Sequence, residues 1–271
     1  MLKVDLHTHS LFSDGTSAVE EVVHRAHKTG VKLFALSDHD TTDGVAQAQT
    51  CANALGMPCV TAVEISTREH DHLHFLGYNV DLQNAAFQTF LQTNRQNRLN
   101  RIKKIIRQLA GSGVDITEED VFSLAPNTVS RAHVADALKK KKIVPSRQEG
   151  FRQYLVPGTA GYVPSAGVSV VEAIHYIKQA GGLAVIAHPG LTRDVWNFPL
   201  WKEAGLDGLE VFYPAHSYTL KQELLKIARQ YDLFATGGSD YHGPNAGRIT
   251  SMGINIPTPY AERLQHKLLG K

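Results

Sequence analysis

KVDLHTHSLFSDG, residues 3–15, is the stretch on which the reading of this chain turns. Val4 and Leu6 alternate with Asp5, His7 and His9, so an extended strand puts the polar set on one face and the apolar pair on the other. Two imidazoles two residues apart face the same way, and the turn that follows adds a carboxylate, Asp14. The strand therefore starts a site as well as a sheet.

Six more short, apolar, β-rich runs follow: KLFALSDH, CVTAVEIS, HLHFLGYNV, LAVIAHP, GLEVFY and LFATGGSD. Amphipathic segments at residues 18–30, 170–181 and 218–231 have the length of crossover helices. This βα alternation predicts an α/β fold with a parallel sheet closed into a barrel. Residues 83–158 break the rhythm with helical patterning and no convincing strand. The expected organisation is a barrel domain from residues 1–82 and 159–271, with 83–158 as a mainly helical insertion. Within it Leu91, Arg95, Arg98, Ile102, Ile105 and Leu109 are spaced along one helix face, so two arginines continue an apolar stripe.

Composition narrows the function class. The chain has 271 residues, 42% hydrophobic and 20% charged, enough for a sizeable core, and its formal charge of +2 argues against a general nucleic-acid or membrane-surface coat. No apolar run approaches the roughly 20 residues of a membrane span, and no signal peptide fits. Cys51 and Cys59 show none of the spacings of a thiolate metal site. Reduced, buried, inert thiols are expected, and with them a cytoplasmic location.

Ionisable residues gather at strand ends. His7 and His9 lie on the first strand; Asp38, His39 and Asp40 end the second; Glu64 ends the third. His72 and His74 lie on the fourth, His188 ends LAVIAHP, and Asp240 and His242 follow LFATGG. In a barrel these ends meet on one face. One histidine there is ordinarily a satisfied polar group. A convergent set of imidazoles and carboxylates is costly to desolvate without cations, and that donor chemistry suits zinc, manganese or iron.

HTHSLFSDG, LSDHD, VEIS, HFLGY, AHPG and GSDYH, in this order, resemble the motifs of the PHP family, named for polymerase and histidinol phosphatase. The resemblance implies a distorted (β/α)7 barrel, three divalent metal ions per chain and phosphoester hydrolysis. Carried over by motif, His7, His9, Glu64 and Asp240 hold one metal, and Glu64, His74 and His188 a second, with Glu64 bridging. Asp14, His39 and His242 hold the third, where many members have histidine at the Asp14 position. His70 and His72 fall outside the pattern and read as strand or loop histidines. Asp38 and Asp40 read as supporting or capping groups.

The expected nucleophile is a hydroxide held by the metals and oriented by Asp240. His216, in YPAHS, is a candidate acid or substrate-facing group. Guanidinium forks match a second phosphate, and the insertion offers Arg95, Arg98, Arg131 and His133 for it. Arg101 reads as a solvated or acid-paired side chain, and lysines 139–142 as a helix terminus complementing its dipole. NRQNRLNR, VSRAHVADAL and YLVPGTAGYVP resemble the PHP subgroup that includes nucleoside 3′,5′-bisphosphate phosphatases and 5′-to-3′ exonucleases of short RNA. A small phosphorylated substrate, nucleotide or short RNA, is therefore expected, with no membrane partner and no stable nucleic-acid complex. Another small-molecule phosphatase, such as histidinol phosphatase, and a non-catalytic PHP module are the alternatives.

Overall fold

The computed structural model describes residues 1–125, 127–244, 246 and 251–270. Seven strands fall in the seven predicted runs: β1 (Leu2–Asp5), β2 (Leu33–Phe34), β3 (Ala62–Ser66), β4 (His74–Tyr78), β5 (Leu183–Ile186), β6 (Gly208–Phe212) and β7 (Phe234–Gly237). An eighth, β8 (Ile254–Ile256), was not foreseen, because three residues carry too little alternation to read. Helices α1 (Val19–Lys28), α2 (Val45–Ala54), α7 (Val170–Gln179), α8 (Phe198–Glu203), α9 (Tyr218–Gln230) and α10 (Thr258–Leu269) accompany the strands. Residues 83–158 carry α3 (Ala85–Gly111), α4 (Glu118–Phe122), α5 (Arg131–Lys140), α6 (Arg147–Gly150) and a π-helical turn at Phe151–Leu155.

The sheet departs from the expected closed parallel barrel. Among the described residues there are two sheets, one in the order β2-β1-β8 and one in the order β3-β4-β5-β6-β7. β4 runs antiparallel to both β3 and β5, and β8 antiparallel to β1. A tight β3–β4 connection cannot make a crossover, so the strands pair as neighbours in a hairpin. The two sheets meet at single bridges, His39 with Glu64 and Thr8 with Tyr241. At these seams the backbone leaves β geometry: Asp40 and Asp240 have φ of 53° and 55°, which interrupts a continuous ladder.

Helix α7 shows how local sequence sets the packing. Ser169 accepts the Glu172 backbone N–H at 3.2 Å, and the Glu172 carboxylate accepts the Ser169 N–H at 2.9 Å. Val170, Ala173, Ile174 and Ile177 then form one buried stripe against the larger sheet. The long α3 serves two apolar clusters. Its first half gives Phe87, Phe90 and Leu91 to the sheet core. Its second half gives Ile102, Ile105, Ile106 and Leu109 to a separate cluster with Val134, Leu138 and Leu155. Each such buried aliphatic side chain contributes roughly 1.5–3 kcal/mol. Helix α3 is thereby anchored beside the strand-end residues His39, Glu64 and His74.

Candidate metal centre

Beyond Asp5 the first strand stays extended through hydrogen bonds to the segment after β7: Asp240 N–H donates to His7 C=O at 2.9 Å, and His9 N–H to Tyr241 C=O at 2.8 Å. The approach depends on Gly238, where an added Cβ would stand 2.3 Å from the Cβ of His7. Buried Asp38 shapes the following turn by accepting Ser10 N–H at 2.8 Å, Ser10 Oγ–H at 2.6 Å and Ser13 Oγ–H at 2.5 Å. Those bonds bring Asp14 round to His242, Asp14 Oδ1 to His242 Nε2 being 3.2 Å.

Glu64 is the centre of the cluster. Its Oε2 lies 3.2 Å from His7 Nε2, 3.2 Å from His9 Nε2 and 3.0 Å from His39 Nδ1. Its Oε1 lies 2.9 Å from His74 Nδ1 and 3.1 Å from His188 Nε2. Asp240 Oδ1 stands 3.3 Å from His9 Nε2. The donor atoms form three groups, each within 4.8 Å: His7, His9, Glu64 and Asp240; His39, Glu64 and His74; His9, Asp14, His39 and His242.

This arrangement fits cations better than an internal hydrogen-bond network. His7 Nε2, His9 Nε2, His39 Nδ1, His242 Nε2, Asp14 Oδ1 and Glu64 Oε2 are buried and close to one another, yet none has a partner in hydrogen-bonding alignment. Proximity without alignment is expected where lone pairs point at a shared space. Burial works to raise the Glu64 carboxyl, but His39, His7 and His74 overcome it and hold the group well below the usual carboxylate range. Burial holds His39 and His74 below the usual imidazole range, which favours the neutral, ligating form. For His9 burial lowers, but Asp240 and Glu64 prevail and push it up to about 9. The carboxylates thus demand positive charge, and imidazole with carboxylate is the donor set of zinc, manganese or iron. The backbone reflects the same crowding, since Asp40, His188 and Asp240 all have positive φ at strand ends.

A cleft opens over the cluster. Its strand side includes Asp14, His39, Glu64, His74, His188 and Asp240. Its insertion side carries Arg98 and Arg101 from α3 and Arg131 from α5. Arg98 donates Nε–H and Nη2–H to Asp40 Oδ2 at 3.1 and 2.9 Å and also bonds Ser66 Oγ. Arg101 and Arg131 share Asp71, at 2.5 and 2.9 Å, and Arg131 lies 5.6 Å over the Phe151 ring. Burial first, then the adjacent Arg131, brings the Arg101 guanidinium down to about 10, so it stays cationic near neutral pH.

Three expected substrate or catalytic residues are placed elsewhere. Arg95 donates to Thr41 Oγ1 at 2.9 Å and Asp43 at 3.0 Å, outside the cleft. His133 lies outside the cleft lining; its Nδ1 accepts the Ser130 N–H at 3.0 Å, closing the α5 capping box. His216 is buried with both ring nitrogens engaged: Nε2 accepts Gly190 N–H at 3.2 Å, so Nδ1–H faces Val211 C=O at 3.0 Å. A Cβ at Gly190 would stand 2.8 Å from that Nε2, so the glycine makes the contact possible. His216 therefore fastens two loops and has no proton to offer the cleft. His72 lines the cleft but belongs to none of the donor groups, and Asp40 supports Arg98.

Four residues that matter were missed. Arg101 pairs with an acid, Asp71, as one of its two expected readings has it, but it lines the cleft and its side chain is only 11% exposed, so its place facing the site was not expected. Asp71 carried no motif, and Ser130 stood in VSRAHVADAL without a role of its own; Ser130 Oγ caps α5 and donates to Asp14 Oδ2 at 3.1 Å. Glu210 was passed over inside GLEVFY, where one acid flanked by Leu209 and Val211 is the pattern of a residue turned away from the apolar side. Cys51 and Cys59 are unpaired and only partly buried, where full burial was expected.

Comparison with known proteins agrees with this geometry. Residues 5–145 match the family model described as PHP domain. A 3′,5′-nucleoside bisphosphate phosphatase of Chromobacterium violaceum is 34% identical over 258 residues, 91% of this chain and 90% of the relative. A 5′-3′ exoribonuclease of Haemophilus influenzae is 34% identical over 251 residues, covering 89% and 90%. The crystal structure of a protein of Bifidobacterium adolescentis, provisionally assigned as a metal-dependent phosphoesterase, superposes with a TM-score of 0.87 at 30% identity over 98% of both chains. With the six ordered motifs and the Glu64-centred cluster, these matches establish that the chain belongs to the PHP domain family.

Proposed function

We propose that this PHP phosphoesterase hydrolyses phosphate from nucleoside 3′,5′-bisphosphates, short 5′-phosphorylated oligoribonucleotides, or both. One observation carries the reading: a metal-type donor cluster and three arginines face each other across one cleft. A substrate with two phosphate groups matches both walls at once. The names of the bisphosphate phosphatase and exoribonuclease relatives support the same substrate class.

In this reading one divalent ion is held by His7, His9, Glu64 and Asp240, a second by Glu64, His74 and His188, and a third by Asp14, His39 and His242. Manganese, zinc or iron bound there would neutralise the carboxylates, acidify a water and balance the charge on phosphoryl oxygens. The chain's own groups do the rest. Asp240 orients the attacking water, with its Oδ2 fixed by the Tyr213 hydroxyl at 3.3 Å. Arg98, Arg101 and Arg131 hold the second phosphate with donors already tethered to Asp40 and Asp71, so little side-chain freedom is lost on binding. Residues 83–158 act as the substrate-facing insertion on a body of 1–82 and 159–271. Among the described residues no helix is long and apolar enough to cross a membrane. The unpaired cysteines accord with a cytoplasmic setting.

The test is turnover of adenosine 3′,5′-bisphosphate, AMP, histidinol phosphate and a 5′-phosphorylated RNA pentamer, with Mn²⁺ and after chelation. A metal-dependent preference for the bisphosphate or the RNA is expected. Equal or better use of histidinol phosphate overturns the substrate, and no turnover by metal-loaded protein overturns the enzyme reading.

A further inference from the structure

Among the buried carboxylates outside the donor groups, one touches two of the expected metal donors. Glu210, on β6, is fully buried and lies outside the lining of the cleft. Its oxygens stand 3.2 and 3.3 Å from His7 Nδ1, and its Oε2 accepts the backbone N–H of His188 at 2.8 Å. We infer that Glu210 is a positioning residue that aims two donors, His7 and His188, at Glu64 and thereby sets the affinity of the metal centre.

An imidazole has two nitrogens on opposite edges, and a carboxylate can only accept, so Glu210 keeps the proton of His7 on Nδ1. The lone pair is then on Nε2, which lies 3.2 Å from Glu64 Oε2 and has no aligned partner of its own. Without Glu210 the ring could take the other tautomer, with a proton where a ligand lone pair is needed. The second bond acts on backbone. His188 has φ 28° and ψ 55°, a conformation that a non-glycine residue holds only when its surroundings enforce it. The Glu210 carboxylate at its N–H supplies that constraint, and the ring is left with Nε2 3.1 Å from Glu64 Oε1. One carboxylate beneath the site therefore aligns donors from two different strands. Gly238 preserves the space, since a Cβ there would stand 2.8 Å from Glu210 Oε1.

This inference rests on the metal-centre reading but not on the choice of substrate, and its readout is metal binding. Chelated and dialysed parent, Glu210→Gln, His7→Asn and the double variant are titrated with Mn²⁺ by calorimetry, and metal retained after dialysis is counted by emission spectroscopy. Glu210→Gln keeps the volume and is expected to weaken Mn²⁺ binding about 10–100-fold. In the His7→Asn background the same change is expected to cost much less, because the ring it aims has gone. Equal Mn²⁺ affinity in Glu210→Gln and parent overturns the inference, as does a loss of the same size with and without His7. If Glu210→Gln does not fold, Glu210→Asp keeps the charge but withdraws the oxygens by one methylene, and parental affinity in that variant overturns it equally. A parent that binds no Mn²⁺ overturns the metal centre itself.

Discussion

Arg98→Ala tests the phosphate clamp most directly, and its effect has two parts. The guanidinium makes two hydrogen bonds to Asp40 Oδ2, at 3.1 and 2.9 Å, and the Asp40 side chain is 1% exposed. Stripping the partner from a buried ion pair costs about 3–5 kcal/mol when the remaining charge is left uncompensated. Asp40 would keep two donors, Ser66 N–H at 3.1 Å and Asn94 Nδ2–H at 2.9 Å, both to Oδ1. The expected loss is therefore about 2–3 kcal/mol, or roughly 5–10 °C in Tm for a protein of this size. The second part is functional. A charge-assisted bond to the substrate's second phosphate contributes about 1.5–3 kcal/mol, which converts to roughly 10- to 100-fold in kcat/KM. The assay is kcat/KM for adenosine 3′,5′-bisphosphate over that for AMP, measured well below the melting point of the variant. The ratio is expected to fall by that factor, with AMP turnover nearly preserved and Arg98→Lys recovering part of the ratio. An unchanged ratio in a folded variant would refute the clamp, whatever the stability loss.

Ser130→Ala removes the α5 cap and the donor to buried Asp14 together. Thermal unfolding is expected to show a loss of about 2–4 kcal/mol, and a value under about 1 kcal/mol, the worth of a cap alone, would show that the Asp14 contact contributes nothing. Burial pushes the Cys59 thiol up to about 12. Folded protein at pH 8 should therefore show Cys59 resisting iodoacetamide while denatured protein reacts readily; peptide mapping that finds it alkylated equally fast in both states contradicts the burial.

The sequence by itself determined where the seven main strands lie and which chemistry sits at their ends. Strand alternation is a local property, and the ordered motifs that resemble the PHP family mark His7, His9, His39, Glu64, His74, His188, Asp240 and His242 as metal-type donors. Their convergence was expected from a barrel, and the structure brings those same residues together around Glu64 and Asp14 without a closed sheet. The handedness of pairing was not local. Whether β4 lies parallel or antiparallel to β5 depends on the path of the connection, and the division into two sheets is likewise set by long-range pairing.

Side-chain partners were decided by tertiary structure alone. Arg95, Arg98 and Arg101 are spaced three residues apart on one helix, and the apolar stripe that holds Arg95 and Arg98 points to those two as the substrate-facing pair. Only the positions of Thr41 and Asp43 on one side, and Asp71 and Val163 on the other, draw Arg95 out of the cleft and keep Arg101 in it. His216 follows the sixth strand, where a substrate-facing role is expected, yet Gly190 and Val211 occupy both of its nitrogens. Glu210 looked like a lone acid in an apolar strand, and its role exists only because His7, 203 residues away, and the His188 backbone, 22 residues away, meet it. A residue type specifies what bonds are possible, but the long-range fold specifies which partner stands within 3 Å, and that choice separates a metal donor, a substrate clamp and a loop fastener made from the same amino acids.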